Sequence, residues 1–324
     1  MTAAAPGALR VAYCADPVPA LLERPGTLAV FTFDGQSAPP GSDPRRLGVL
    51  LAPLAGRAPC ERWSVEADVS HGRDGDVRWA CGGGWRFVAI EADEDAQGGL
   101  EAATRYVYDR LLGHAAGHPE RHCLRIWNYL DAINAGAGDS ERYRRFCSAR
   151  ARSMAVHGLE RYPAATAIGH HGVHGRLQVY ALCAAEAGVA LENPRQVSAW
   201  NYPRRYGPDA PNFVRAMQLP RGGLAISGTA AVLGADSHHL HDVTAQATEA
   251  IANLRALLAG ARLPAFAAAS PLKVYVRHLA DAARVSAVLE RELAPSVPRL
   301  LLQGDVCRRE LLVEIDGWRL AEGS

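Results

Sequence analysis

One carboxylate in this chain stands inside an apolar strand: Glu314, in the stretch GDVCRRELLVEIDG at residues 304–317. Strand side chains alternate, so Leu312, Glu314 and Asp316 share one face while Val313, Ile315 and Gly317 share the other. Two readings are open at this point. One is a solvated strand face, where glutamate is usually found; the other is an acid held in a pocket. An acid of the second kind suits proton transfer, because burial disfavours the charged form and keeps the proton on near neutral pH.

A second candidate is NYPRRYGPDAPNFVRA, residues 201–216. Tyr202, Arg204, Arg205 and Tyr206 stand in one segment with Pro203, Pro208 and Pro211, which hold the chain extended and turned. A guanidinium meets a carboxylate through two parallel hydrogen bonds, so the segment suits a small dicarboxylate; a surface loop with incidental arginines is the plainer alternative. The small residues of SGTA at 227–230, Gly228 and Ala230 among them, admit either a ligand or a second sheet close to the backbone.

Other groups carry less. Histidines at 170, 171 and 174 and at 238, 239 and 241 fit no zinc template, so polar loops are expected and no metal site. GGGWRF, from residue 82, lacks the helix and the Lys-Ser/Thr of a phosphate loop and reads as a hairpin. Seven cysteines without a Cys-x-x-Cys pair suit reduced thiols. With 35 Lys+Arg against 34 Asp+Glu, no general positive surface marks a nucleic-acid or membrane partner, and any anion site must be local. No apolar run approaches the length of a membrane span, and MTAAAPGALRVAYCADPVP lacks a basic head with an apolar stretch behind it, so a cytoplasmic protein is expected.

The elements that must position these residues follow from periodicity. LRVAY, LAVFTF and LGVLLAPL read as strands, and VRWACGGGWRFVAIEA as two strands around a glycine turn. GLEAATRYVYDRLLGHA is helical, with Leu100, Ala103, Val107, Leu111 and Leu112 on one side. LRIWNYL is a strand, and GDSERYRRFCSARARSMAVHG a helix capped by Asp139 or Ser140 and stopped at Gly158. AATAIG, LQVYALCA, VSAWNYP, GLAISGTAAVLG and PLKVYVR read as strands, DVTAQATEAIANLRALLAG as a helix opened by Asp242, and ADAARVSAVLERELAP as the last helix. RLLLQGDVC and ELLVEIDGW close the chain as strands. The pattern predicts an α/β (α+β) protein of mixed sheets with long helices packed on one face. An N-terminal α/β domain over 1–155 and a C-terminal domain over 156–324 are expected.

Several segments together resemble the chorismatase family. They are LRIWNYLDAIN with GDSERYRRFCSAR, PAATAIG, ENPRQVSAWNYPRRYGPDAPNFVRA, ISGTA, LKVYVR and GDVCRRELLVEIDG, in order over residues 120 to 317. The resemblance implies an enzyme that acts on chorismate with loss of pyruvate, built from two halves like the trimeric RidA (YjgF) proteins or the chorismate mutases of the same arrangement. It implies that the second half carries most of the active site. Cys307, where the hydrolysing type is expected to carry alanine, makes the chain similar to the 3-hydroxybenzoate synthases, including the pigment-pathway type that also releases 4-hydroxybenzoate. On this likeness Glu314 and Cys307 are catalytic, Arg205, Tyr206, Tyr202 and Arg150 hold carboxylates, and Gly228 and Ala230 shape the pocket. No metal or organic cofactor is implied, the one partner is chorismate, and the chain is a monomer or small homo-oligomer. RidA-like proteins hold a carboxylate with an arginine two residues before the matching cysteine; Asp305 stands there, which counts against an imine deaminase and makes Arg205 the first choice of carboxylate partner. A hydrolysing chorismatase giving a dihydroxycyclohexadiene carboxylate, an imine deaminase and a ligand-binding protein are the alternatives.

Overall fold

Alternating apolar positions pair the strands into three principal sheets in the computed structural model, which describes residues 7–159 and 161–321. The largest has seven strands in the order Asp305–Val306, Ala164–His170, His122–Asp131, Arg176–Ala184, Trp85–Asp93, Val77–Gly82 and Ser70–Asp74. Six strands form the second: Val189–Leu191, Ala216–Gln218, Leu224–Ala230, Val313–Arg319, Leu272–Val276 and Arg299–Gln303. The third has four, Leu9–Cys14, Cys60–Val65, Thr27–Phe33 and Arg46–Val49. Each sheet mixes antiparallel pairs with one parallel pair. The larger sheet draws strands from both sides of residue 155.

Helices cover one face of each large sheet. Leu100–Ala116 sets Leu100, Ala103, Val107 and Leu111 against Val88, Ile90, Ile126 and Leu130, together with Phe146 of the helix Arg142–Val156. Val243–Gly260 and Ala282–Glu292 cover Val274, Val276, Val313 and Ile315 of the second sheet in the same way. The uncovered faces meet in an aromatic core of Phe31, Trp63, Phe87, Trp127, Tyr180 and Trp318. This arrangement gives the strand Val313–Arg319 two buried faces: Val313 and Ile315 go to the helices, while Trp318 goes to the aromatic core.

Most local expectations hold. Gly83 and Gly84 take positive φ in the hairpin between Val77–Gly82 and Trp85–Asp93, and Asp242 caps its helix by accepting from the Ala245 amide at 3.0 Å. Two do not. VSAWNYP is no strand: Ala199–Asn201 is a 3-10 turn, because Pro203 lacks the N–H that a ladder needs and the Asn201 amide bonds back to Ser198. Neither Asp139 nor Ser140 caps the following helix. Gly138, at φ 54°, folds 138–140 into its own 3-10 turn, and Arg142–Val156 starts behind Glu141. Among the described residues, no helix is long and apolar enough to cross a membrane.

Candidate active site

The inward face of Val313–Arg319 carries Glu314, only 5% exposed. Its neighbour Leu224–Ala230 runs antiparallel with Ala230 opposite Glu314, and the register slips between Ile226 and Thr229. Gly228 sits in that irregularity, where an added Cβ would stand 1.9 Å from Glu314 Oε1. Only glycine leaves room for the carboxyl to lie over the neighbouring strand. Among the described residues none donates a hydrogen bond to it. Burial pushes the Glu314 carboxyl up to about 8; the charge of Asp316 adds to this, while Arg125, Arg215 and Arg277 oppose it. The sequence period put Glu314 on the correct face, and the packing of the two larger sheets against each other turns that face into a pocket wall.

Glu314 opens onto a cavity of about 350 Å³, within the range of roughly 300–1,000 Å³ usual for small-molecule sites. All eight residues singled out from the sequence line it: Glu314, Cys307, Arg150, Tyr202, Arg205, Tyr206, Gly228 and Ala230. Their settings differ. Arg150 is buried on the helix Arg142–Val156; its Nε donates to Tyr108 Oη at 2.7 Å, and its Nη2 has no partner among the described residues. Arg205 is 56% exposed at the mouth and pairs with Asp236, to which Tyr206 Oη also donates at 3.0 Å.

Two further arginines escaped the sequence reading. Arg215, buried, donates through Nη2 to the Val197 carbonyl at 2.8 Å and to Tyr202 Oη at 2.6 Å, and its Nε is left without an acceptor. Arg308 lies 3.7 Å over the Tyr206 ring and bonds through Nη1 to the Ala235 carbonyl and Ser237 Oγ, with Nη2 unanswered. Both stand inside segments quoted above, one ending NFVRA and the other directly after Cys307. The signal was present, but nothing in an arginine's neighbours along the chain says that it lines a cavity.

Cys307 lines the pocket near Glu314; burial, then the Glu314 charge, push its thiol up to about 12, so it is a neutral group and not a thiolate nucleophile. Arg277 fixes the loop that carries it. The guanidinium donates to the carbonyls of Val306, Arg308 and Leu311 and to Asp305 Oδ1 at 2.8 Å. Asp305 also takes His171 at 3.0 Å, so the position that holds arginine in RidA-like proteins is here an anchor for the loop. His174 meets Asp131 and His239 meets Glu249; among the described residues no three His, Cys, Asp or Glu side chains gather as a metal site.

A family model described as "Chorismatase FkbO/Hyg5-like, N-terminal" matches residues 61–183. The chain is 35% identical over 287 residues to a 3-hydroxybenzoate synthase of Streptomyces hygroscopicus, covering 83% of each. It is 34% identical over 271 residues to a chorismatase of the same organism, covering 79% of this chain and 78% of that one. A crystal structure of a chorismatase matches with a TM-score of 0.85 and 29% identity, over 98% of this chain and 99% of the other.

Proposed function

Because this chain belongs to the chorismatase family, we propose that it converts chorismate to 3-hydroxybenzoate and pyruvate, with Glu314 delivering the proton that starts the reaction. The observation that carries this reading is a buried carboxyl, raised to about 8, in a pocket walled by arginines with unanswered N–H groups. A free glutamate is protonated in only about one molecule in 500 at pH 7, whereas a carboxyl at about 8 is protonated in roughly nine of ten. Protonation of the enolpyruvyl methylene makes the side chain an electrophilic leaving group. The C4 hydroxyl then attacks C3 and returns its proton to Glu314, the C3–O bond breaks to release pyruvate, and opening of the arene-oxide-like intermediate, its oxygen gaining a proton as the ring carbon loses one, gives the aromatic acid. Substrate and products balance without water, oxidant or reductant.

The substrate's two carboxylates need cationic partners inside the cavity. Arg150 and Arg215 supply buried donors, Arg308 a stacked one, and Tyr202, Tyr206 and Arg205 the side toward solvent. Cys307 fills space beside Glu314 that a hydrolytic water would need, which favours the aromatic product over a dihydrodiol. Release of 4-hydroxybenzoate as well and a place in pigment biosynthesis belong to the same proposal and rest on the sequence resemblance. Incubation of the purified protein with chorismate, followed by chromatography, tests it. Equal amounts of pyruvate and hydroxybenzoate are expected; a dihydroxycyclohexadiene carboxylate as main product assigns the hydrolytic reaction, and absence of pyruvate overturns the chorismate reading.

A further inference from the structure

Beneath Glu314 lies an ionic cluster closed to solvent. Asp316, two residues along the same strand face, is fully buried, and its Oδ2 accepts from Arg125 Nη2 at 3.0 Å, Trp127 Nε1 at 3.0 Å, Thr166 Oγ1 at 2.7 Å and Tyr275 Oη at 2.8 Å. Lys273, buried too, donates to Glu61 Oε2 at 2.9 Å and stands 4.0 Å from Asp316 Oδ1. Arg125 and Lys273 both lie over the Trp127 ring, at 4.2 and 5.0 Å. Arg125 and Lys273 are thus matched by Asp316 and Glu61, one carboxylate for each cation. A Glu314 carboxylate would be a third negative group facing those cations.

We propose that Asp316 is a positioning residue that keeps Glu314 an acid: by occupying Arg125 and sharing Lys273 with Glu61, it keeps the two cations beneath the pocket floor from stabilising a Glu314 carboxylate. The inference rests on the reading of Glu314 as proton donor. Among the other charged or titratable groups around Glu314, Arg150, Arg215 and Arg308 each keep one N–H unanswered whatever the state of Asp316, and the rest are engaged or neutral. Arg277, beyond the end of Leu272–Val276, is held by Asp305 and three carbonyls. Arg215, just ahead of Ala216–Gln218, spends Nη2 on a carbonyl and Tyr202. Tyr275, opposite Glu314 in the sheet, gives its hydroxyl to Asp316, and Cys307 is a neutral thiol whose neighbour Arg308 is bonded to Ala235 and Ser237. After burial, the Asp316 charge is the largest influence pushing Glu314 up. Removing it does more than delete a repulsion, since Arg125 then lacks its counter-charge beneath the pocket floor.

Asp316→Asn keeps the shape and removes the charge. Two readouts follow: the infrared band of the protonated Glu314 carboxyl, assigned by its loss in Glu314→Gln, and the alkaline limb of the kcat/KM profile. Both are expected to move to lower pH by about one unit or more, the size that a neighbouring charge commonly has, with an activity loss of about tenfold per unit above the new midpoint. Glu61→Gln, away from the pocket, frees Lys273 and is expected to move the same band the same way by less, which carries the test if the first variant does not fold. A folded Asp316→Asn whose carboxyl band keeps or raises its midpoint overturns the proposal, as does an unmoved or raised band in Glu61→Gln where that variant alone folds. Near-normal turnover in Glu314→Gln would instead overturn the proton-donor reading, while the band would still report on Asp316.

Discussion

The deep wall of the pocket and its mouth are both rich in arginine, and they differ in what the fold has already done with those side chains. At the mouth, Arg205 pairs with Asp236, so its charge is answered before any ligand arrives. Along the deep wall, Arg150 Nη2 and Arg215 Nε have no acceptor, and the Glu314 carboxyl has no donor. A buried polar group left unpaired costs about 1–3 kcal/mol, a cost that a fold retains where a ligand supplies the missing partner. Exposed ion pairs contribute about 0–1 kcal/mol and are readily exchanged. The proposed function therefore concentrates substrate recognition and proton transfer at the deep wall, and substitutions at the mouth are expected to be tolerated.

The largest effect that can break this contrast is at Glu314. Glu314→Gln keeps volume and removes the acid, so turnover should fall by roughly 100- to 10,000-fold, the usual share of a general acid. Stability should move the other way. The folded carboxyl sits at about 8, above its ordinary 4.5, so its stabilising protonation is complete below 4.5 and is lost as pH rises through 8. By pH 7 that loss amounts to about 3 kcal/mol. The glutamine variant never ionises, so its Tm at pH 7 should exceed the wild type by several degrees, with the gap closing toward pH 4. A variant that is both inactive and less stable at pH 7 would contradict the raised carboxyl.

Next comes Gly228→Ala. A methyl group 1.9 Å from Glu314 Oε1 must displace the carboxyl or shift the strand. Overpacking of this kind costs about 1–3 kcal/mol, and activity should fall nearly as far as in Glu314→Gln. Because both changes act on the same carboxyl, the double variant should lose little more than either alone. Independent losses that multiply would show that Gly228 acts on the substrate directly.

These positions also mark what the chain shows before it folds. Period-two alternation put Glu314 and Asp316 on one face, helical spacing gave the apolar stripe of Leu100–Ala116, and Asp242 announced a helix start. Local rules suffice there because the cause is local. What turns the Glu314 face into a pocket is its meeting with strands and loops drawn from residues 128 to 314, and no neighbour in sequence encodes that. The same holds for Arg215 and Arg308, which reach the cavity through the packing of separate elements and not through their neighbours along the chain. Gly228 was visible as a small residue, but its purpose, leaving space for a carboxyl from another strand, needs the register between Leu224–Ala230 and Val313–Arg319.

A paired substitution sharpens the contrast between wall and mouth. Lysine keeps the charge and loses the planar fork. Arg215→Lys should lower kcat/KM by about 10- to 100-fold, the value of a hydrogen bond to a charged group. Arg205→Lys should cost no more than about fivefold, because the exposed side chain is already committed to Asp236. Steady-state kinetics on the two variants decide the matter, and a larger loss at Arg205 than at Arg215 reverses the assignment of wall and mouth.

The smallest effect on rate and the largest on outcome is expected at Cys307. This thiol lies on the deep wall near Glu314 and is neutral, so it contributes bulk and a weak dipole, not charge. Cys307→Ala leaves Glu314 in place, and protonation of the enol ether with release of pyruvate should continue at a modestly reduced rate. The alanine opens room beside the ring where one water can compete with the C4 hydroxyl for the activated intermediate. Intramolecular attack keeps its advantage of proximity, so diversion should be partial. Chromatography should show a non-aromatic dihydrodiol at the expense of hydroxybenzoate, with the sum of the two still equal to pyruvate. An unchanged product mixture removes the thiol from product choice and transfers that role to the small residues Gly228 and Ala230 across the same cavity.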